Sequence, residues 1–305
     1  MAEILGISAS IAGLISLADI TFKYVYKYVR AAKDAKTDIQ SLADEVNDQK
    51  QRILDYFMGI SPQPNLETSI KLRHAMTGLW LTESSQFSRW LETPDSKLWL
   101  TGIPGAGKTV LAGSVIQEVL TRSYVVTETS AAFSFCDYKN PGTWNTTNIL
   151  GAVASQLARQ NDEAFEILCL YYTDLHPASG LPKTPDPEEL QARIGQMSEL
   201  FDQTIIVIDG LDECGDNVDD VVEALLHVAE FSKGVSMALF SRDHFNIRMR
   251  LEDSEIVPIA ARTEDVRLFV GAEIARRIQS RQLELSEMAM KEEILDALVG
   301  RAEGM

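Results

Sequence analysis

The sequence has few cysteines, few histidines and a deficit of positive charge. Its 305 residues include three cysteines and four histidines, and 28 lysines and arginines stand against 45 aspartates and glutamates, for a net charge of −17. Three widely spaced cysteines exclude a disulfide framework, and the histidines lack the close spacing typical of a metal site. The negative charge argues against a nucleic-acid-binding protein, because neutralising phosphates requires an excess of lysine and arginine.

The sequence also lacks an uninterrupted hydrophobic run long enough to cross a membrane. The apolar stretch at residues 4–18 is broken by Ser8, Ser10 and Ser16 and is shorter than the ~20 residues that a membrane-spanning helix needs. Glu3, with no basic residue before the stretch, argues against a signal peptide. We therefore expect a cytoplasmic protein, which free cysteines also favour.

The charge is distributed unevenly along the chain, with a balance of −1 over residues 1–98 and −16 over residues 99–305. In the first part, apolar side chains recur with a 3-4 alternation that is typical of a long helix whose seam packs against partner helices. An amphipathic helix that engages a membrane is the alternative. The seam consists of Ile4, Ile7, Ile11, Leu14, Ala18, Thr21, Val25, Tyr28, Ala32, Ala35, Ile39, Leu42 and Val46.

Two prolines within Gly59–Asn65 end this helical periodicity. We therefore predict a helical segment at 1–58, a linker at 59–69 and a larger domain at 70–305, in which helical patterning returns over 70–92. Strand-like apolar runs begin near residues 98, 131, 204, 235 and 256, with helical patterns between them. This alternation predicts βαβ units and a parallel sheet.

A phosphate-binding loop follows the first strand-like run. Gly102–Thr109 reads GIPGAGKT and satisfies the pattern G-x-x-x-x-G-K-[ST] in full. The glycines let backbone N–H groups converge on phosphates, Lys108 supplies a positive charge, and the Thr109 hydroxyl is a ligand for Mg²⁺. We predict that the nucleotide is bound by Gly102, Pro104, Gly105, Ala106, Gly107, Lys108, Thr109 and Val110.

A second motif is the β-branched run from Thr204 that ends in Asp209. Such a run suits a strand buried on both faces, and Asp209 at its end is predicted to hold Mg²⁺ together with Thr109. Asp212 and Glu213 are candidates to orient or deprotonate the attacking water. The alternative is that each is a surface acid in a helix cap.

Arg242 follows the strand-like run Val235–Phe240. An arginine at a strand end beside a phosphate site is a candidate to sense the γ-phosphate or to stabilise transition-state charge. An ordinary surface ion pair with Asp243 is the alternative.

Together these motifs resemble the NACHT-type P-loop module of STAND NTPases, and more narrowly the nephrocystin-3-like N-terminal NTPase module of fungal NOD-like proteins. The resemblance rests on GIPGAGKT, TIIVIDGLDEC and MALFSRD, while MAEILGISASIAGLISLADI is similar to the helical effector domain often fused to that module. It implies an α/β fold: a three-layer α/β/α P-loop NTPase with a five-stranded parallel sheet in the order 5-1-4-3-2, preceded by an α-helical N-terminal segment. It also implies bound ATP, or less often GTP, with Mg²⁺.

The resemblance further implies a switch, in which nucleotide state controls homo-oligomerisation and releases an N-terminal signalling or cell-death domain. In this scheme Asp209 is the metal-associated acid, Asp212 and Glu213 are the hydrolytic candidates, and Arg242 is the sensor. Relatives continue beyond Gly300–Met305 into winged-helix and repeat regions, and their N-terminal domains are longer. We therefore expect a reduced paralogue or a truncated form.

Other functions agree less well with the sequence. A dedicated GTPase is disfavoured because the guanine-reading N-K-x-D motif is absent, and a metabolic kinase is disfavoured because no arginine-rich lid is evident. A non-catalytic nucleotide-binding interaction protein stays open, because no residue proves hydrolysis. Whether the chain is an enzyme is thus undecided; if it is one, we expect slow ATP hydrolysis.

Overall fold

The computed structural model describes residues 27, 30, 33, 39–74, 76–260, 262–284 and 289–302. The chain divides into a first unit, Met1–Arg52, and a second unit, Ile53–Met305. Helix α1 covers residues 39–58, and its seam side chains Ile39, Leu42 and Val46 are exposed. The seam positions from Ile4 to Ala35 lie outside the described residues. No helix in the described part of the chain is long and apolar enough to cross a membrane.

The second unit alternates strands with helices. The strands are β1 Lys97–Gly102, β2 Thr129–Phe135, β3 Gln203–Asp209, β4 Val235–Ser241 and β5 Glu255–Ile259. The helices are α2 Gln63–Leu72, α3 Leu79–Thr82, α4 Ser85–Glu92, α5 Lys108–Val125, α6 Thr146–Gln160, α7 Asp162–Leu175, α8 Pro187–Ser198, α9 Val218–Phe231, α10 Phe245–Arg250, α11 Thr263–Gln279 and α12 Ala289–Ala302.

The five strands form one parallel sheet in the order β2-β3-β4-β1-β5. Read from the other edge, this is the order 5-1-4-3-2, so the predicted fold class is confirmed. The register pairs Trp99 of β1 with Leu239 of β4 and Val207 of β3 with Ala238 of β4. Because all strands are parallel, their carboxyl ends lie at one edge of the sheet, where ligands bind in such folds.

Helices cover both faces of the sheet, which makes three layers. Every residue of β3 is buried, and its side chains alternate between two apolar clusters, with Ile206 and Ile208 in one and Ile205 and Val207 in the other. This is the two-residue period expected of a strand buried on both sides. Helices α2, α4 and α5 contribute to the second cluster, and α6 to α9 contribute to the first.

The end of α1 belongs to the core of the second unit. Ile53, Leu54 and Phe57 are buried, and the Ser155 hydroxyl of α6 donates to the carbonyl of Leu54 over 2.9 Å. The backbone of α6 approaches so closely that a Cβ at Gly151 would lie 2.3 Å from the Phe57 carbonyl oxygen. This packing requires glycine at position 151.

Helices α11 and α12 pack against each other around a small apolar cluster of their own, formed by Ile274, Leu295 and Val299. Arg267 of α11 also pairs with Asp296 of α12 over 2.7 Å. The pair of helices α11 and α12 is therefore stabilised by an apolar cluster that is separate from the two clusters on the faces of the sheet.

The helix boundaries near the start of the second unit differ from the sequence-based expectation. The linker predicted at 59–69 is largely replaced by α2, because Pro62 is its N-cap and Pro64 lies in its first turn, where proline is tolerated. The helical patterning expected over 70–92 is interrupted at Gly78, which has a φ of 79°, and at Ser84, whose side chain caps α4. The division into domains itself stays a prediction.

The close contact between α6 and the end of α1 generates a stability prediction. Gly151→Ala should lower the free energy of unfolding by about 1–3 kcal/mol, because overpacking a filled core displaces backbone. Gly300→Ala on α12 is the matched control, because its Cβ would meet no atom within 4 Å. Chemical denaturation of both variants measures the difference. An unfolding free energy for Gly151→Ala equal to that of Gly300→Ala would contradict this packing.

Candidate functional site

The phosphate loop joins β1 to α5 and is open on its concave side. Gly105 and Gly107 have φ angles of 81° and 82°, in the left-handed region that favours glycine, and a Cβ at either would meet no atom within 4 Å. Gly102 differs, because a Cβ there would lie 2.5 Å from the Ile259 carbonyl oxygen of β5. The first glycine of the motif is therefore required by strand packing, and the two later ones shape the open loop.

The remaining loop residues lie where the motif predicts. Pro104 and Thr109 are exposed, and Ala106, Lys108 and Val110 are half-buried. The helix α5 begins at Lys108, so its first N–H groups and the positive end of its dipole lie at the loop. Strand, glycine-rich turn and helix N-terminus thus form a site suited to an anion.

Lys108 lies against the loop that precedes it. Its ammonium donates hydrogen bonds to the carbonyl oxygens of Gly102 and Ile103, over 2.8 and 3.0 Å. Burial lowers the pKa of Lys108, and the carboxylate of Asp212 opposes that shift. The ammonium has three donors, so it can exchange carbonyl partners for phosphate oxygens.

Asp209 at the end of β3 lies beside Thr109 of α5. Burial raises the pKa of Asp209 from 3.8 to about 7, and a hydrogen bond from the Thr109 hydroxyl partly opposes this shift. A hydroxyl and a carboxylate are oxygen ligands of the kind that Mg²⁺ prefers. The two predicted metal ligands are therefore brought together, and their chemistry fits a magnesium ion.

Asp212 and Arg242 form an ion pair across the carboxyl edge of the sheet. Asp212, in the 3-10 turn Leu211–Asn217, accepts the Arg242 backbone N–H over 2.8 Å and the Arg242 Nε over 3.0 Å. Its side chain is only 8% exposed, whereas that of Arg242 is 51% exposed. Asp243 pairs instead with Arg248, so the alternative partner considered for Arg242 is engaged elsewhere.

Glu213 is directed towards the end of β2. Its Oε2 accepts the backbone N–H of Tyr138 over 3.2 Å, and its own N–H donates to Gly210. Gly210 has a φ of 76°, and a Cβ there would lie 2.5 Å from the Cys136 carbonyl oxygen. The turn that carries the acids is thus packed tightly against the neighbouring strand end, and both hydrolytic candidates have protein partners.

A cavity of about 320 Å³ adjoins the phosphate loop. Its walls come from the loop, the start of α5, the segment before β1 and the residues after β5. The sequence-based site includes only Gly105, Ala106, Gly107 and Val110 of this lining. The sequence feature that could have indicated this cavity is Thr77–Trp80, where a glycine and an aromatic residue interrupt a helical pattern. Newly placed lining residues include Thr77, Gly78, Trp80, Arg262, Asp265 and Phe269.

The strand order 5-1-4-3-2 and the phosphate loop together define a P-loop NTPase module. The sequence profile of the family described as Nephrocystin 3, N-terminal, matches residues 76–242, which is more than half of the chain. The chain belongs to this family, and the resemblance to NACHT-type modules is confirmed.

Among curated proteins, the chain is similar to the vegetative incompatibility protein HET-E-1 of Podospora anserina. The two are 24% identical over an alignment that covers 65% of this chain and 15% of HET-E-1. The chain therefore spans only a small part of that relative's length.

Among solved structures, the chain is similar to the Walker-type ATPase of Pyrococcus abyssi, with 13% identity and a TM-score of 0.44 over 73% of this chain and 65% of that one. It is also similar to Drosophila ORC bound to DNA, with 16% identity and a TM-score of 0.43 over 79% of this chain and 57% of that one. The fold assignment depends on this chain's own strand order and phosphate loop.

The burial of Asp209 generates a prediction about pH. Because its folded-state pKa of about 7 exceeds the ordinary 3.8, the folded protein holds a proton that the unfolded chain releases, so stability falls as pH rises between these values. Asp209→Asn removes this loss of stability with rising pH, because asparagine does not titrate. In EDTA, the variant should gain on the order of 3 kcal/mol relative to the parent protein between pH 5 and pH 8.

Urea unfolding at several pH values measures this difference. The matched control is Asp216→Asn, an exposed acid in the turn Leu211–Asn217 that follows β3. Stability curves of the parent and Asp209→Asn that stay parallel across this range would show that the Asp209 carboxyl does not carry a raised pKa.

Proposed function

We propose that this chain is a Mg-ATP-binding NTPase of the STAND class that acts in the cytoplasm as a nucleotide-dependent signalling switch with slow hydrolysis. The observation that carries the proposal is the convergence of the open phosphate loop, Lys108 and the Thr109–Asp209 pair at the carboxyl edge of one parallel sheet. The similarity to HET-E-1, a vegetative incompatibility protein, supports a signalling role related to incompatibility.

The phosphates would lie in the open loop, held by backbone N–H groups and the N-terminus of α5. Lys108 would exchange its bonds to the loop carbonyls for bonds to the β- and γ-phosphates. Thr109 and Asp209 would hold Mg²⁺, which when bound neutralises phosphate charge and polarises the phosphoryl group. A cation beside Asp209 would also favour its charged form.

The cavity next to the loop would take the base of the nucleotide. It shares Gly105, Gly107 and Val110 with the loop, so a ligand with its phosphates in the loop can reach it. Aromatic and aliphatic side chains with a few polar groups line it, as in nucleotide pockets generally. Because the chain lacks N-K-x-D, we favour ATP over GTP.

Slow hydrolysis is supported by the contacts of the acidic turn. Asp212 is held by Arg242, and Glu213 is held by the Tyr138 N–H. Either acid can orient a water only with the lone pairs that these contacts leave free, or after it leaves its partner, so both contacts restrict that role. The same contacts favour the second candidate function, a non-catalytic interaction protein that keeps nucleotide as a structural ligand.

The first unit, residues 1–52, would serve as an effector-like helical segment that precedes the NTPase domain. The apolar seam residues Ile39, Leu42 and Val46 of α1 are exposed, which supports contact with partner helices, with a membrane surface as the alternative. A nucleotide-dependent homo-oligomer would bring such seams together.

The first test of this proposal concerns nucleotide binding. Lys108→Ala should abolish the thermal stabilisation by ATP and Mg²⁺, because it removes the charge that meets the β- and γ-phosphates. At a ligand concentration of ~100 times Kd, binding stabilises the parent protein by about 2.7 kcal/mol. Differential scanning fluorimetry reads the shift, with the exposed Lys233→Ala as control. The same ATP shift in Lys108→Ala as in the parent would refute nucleotide binding at this loop.

The second test distinguishes a nucleotide-dependent switch from a non-catalytic nucleotide-binding protein. Glu213→Gln should slow phosphate release by ~10²-fold or more, the usual loss for a general base, while ATP affinity changes little. Because the variant retains the triphosphate, it should also sediment as a larger species with ATP than with ADP. Asp220→Asn, an exposed acid on α9, is the control. If phosphate release is absent in the parent protein, the non-catalytic function is favoured. Release that is present and unaltered by the variant would show instead that Glu213 does not position the water.

A further inference from the structure

The charged side chains in the described lining of the cavity both come from the start of α11. They are Arg262, the N-cap residue of the helix, and Asp265 in its first turn. The rest of the lining is apolar side chains, glycine backbone and two hydroxyl groups. The polar character of the cavity therefore depends mainly on α11, outside the sequence motifs of the phosphate site.

Asp265 is fixed in the cavity wall by a hydrogen bond. Its Oδ2 accepts the backbone N–H of Gly78 over 2.9 Å, and Gly78 is buried with a φ of 79°. A carboxylate has about four lone-pair sites, so Asp265 can keep this bond and accept another donor from the cavity.

The two hydroxyls of the lining are directed at backbone carbonyls. Thr77 donates to His74 over 2.8 Å, and Ser114 donates to Val110 over 3.2 Å. Asp265 is therefore the strong, charged acceptor available to a ligand in this cavity, and a carboxylate hydrogen bond is stronger than one between neutral groups.

Trp80 and Arg262 form a flat wall near Asp265. The Arg262 guanidinium lies 4.2 Å from the centroid of the Trp80 ring, which is cation–π geometry. Both groups are planar, and the free face of a guanidinium or of an indole ring can stack on an aromatic ligand. The cavity thus combines a stacking wall with one fixed carboxylate.

From this arrangement we propose that Asp265 selects nucleotides whose base carries an exocyclic amino group, by accepting a hydrogen bond from that group while the base packs against Trp80 and Arg262. The inference rests on the proposed nucleotide binding at the phosphate loop, and it adds which class of base the cavity accepts. Adenine and guanine each carry an exocyclic amino group, and hypoxanthine carries none. A site that bonds a donor disfavours the analogue that lacks it, because the half-buried Asp265 carboxylate would then lose its second hydrogen bond while the base still displaces water from it.

The experiment compares ATP, GTP and ITP on the full chain by isothermal titration calorimetry, with inorganic triphosphate as a ligand that has no base. The parent protein should bind the better of ATP and GTP at least ~10-fold more tightly than ITP, as expected for a hydrogen bond to a charged group. In Asp265→Asn, the amide oxygen can keep the Gly78 bond, but the amide nitrogen presents a donor to the cavity. That variant should reduce the preference over ITP to ~2-fold or less, with triphosphate affinity unchanged.

Asp265→Glu, which keeps a carboxylate, should rank the three nucleotides as the parent does. An unaltered preference in a folded Asp265→Asn would overturn the inference, and so would a parent protein that binds ITP as tightly as ATP and GTP. This second comparison needs no variant and is decisive even where Asp265→Asn does not fold. Nucleotide and triphosphate binding that is insensitive to Lys108→Ala would refute the proposed function instead, so the two failures are distinguishable.

Discussion

The burial of Asp209 is the constraint on which the rest of the site depends. A carboxyl placed at the end of a strand that is covered on both faces loses most of its hydration, and this raises its pKa to about 7. Such a group needs a donor or a cation beside it, and Thr109 is the donor that the phosphate loop supplies. The start of α5 therefore has to lie beside the end of β3, because the buried Asp209 carboxyl needs the hydrogen bond that Thr109 donates.

The same parallel sheet explains why residues far apart in sequence meet. The carboxyl ends of β1, β3 and β4 lie side by side, and they are followed by the phosphate loop, the acidic turn and Arg242. Close approach of neighbouring strands also accounts for two glycines, because a Cβ at Gly102 would meet β5 and one at Gly210 would meet the end of β2. Part of the glycine pattern is thus a consequence of sheet packing.

Much of the fold was predictable from the sequence, because it depends on local periodicity. The uninterrupted apolar runs of β3 and β4 predict strands buried on both faces, and the complete GIPGAGKT motif predicts the strand–loop–helix unit. The cavity beside the phosphate loop was not predictable from the sequence. Its wall combines Gly78 with Asp265 of α11, 187 residues later, and contacts at such a separation leave no periodic pattern in the sequence. The extent of α2 differs from the expected linker, because proline predicts the end of a helix from sequence alone but is tolerated in a first helical turn.

Two groups of the phosphate site are bonded to the chain itself in the structure: the Lys108 ammonium to the carbonyls of Gly102 and Ile103, and Arg242 to Asp212. A ligand that takes over either group releases its present partner, so the binding free energy is a difference between two sets of contacts. The released partners lie at the end of β1 and in the turn after β3. Exchange of hydrogen bonds at one site would thus change the contacts of elements that are distant in sequence, and a nucleotide-dependent switch requires a ligand-dependent difference of this kind.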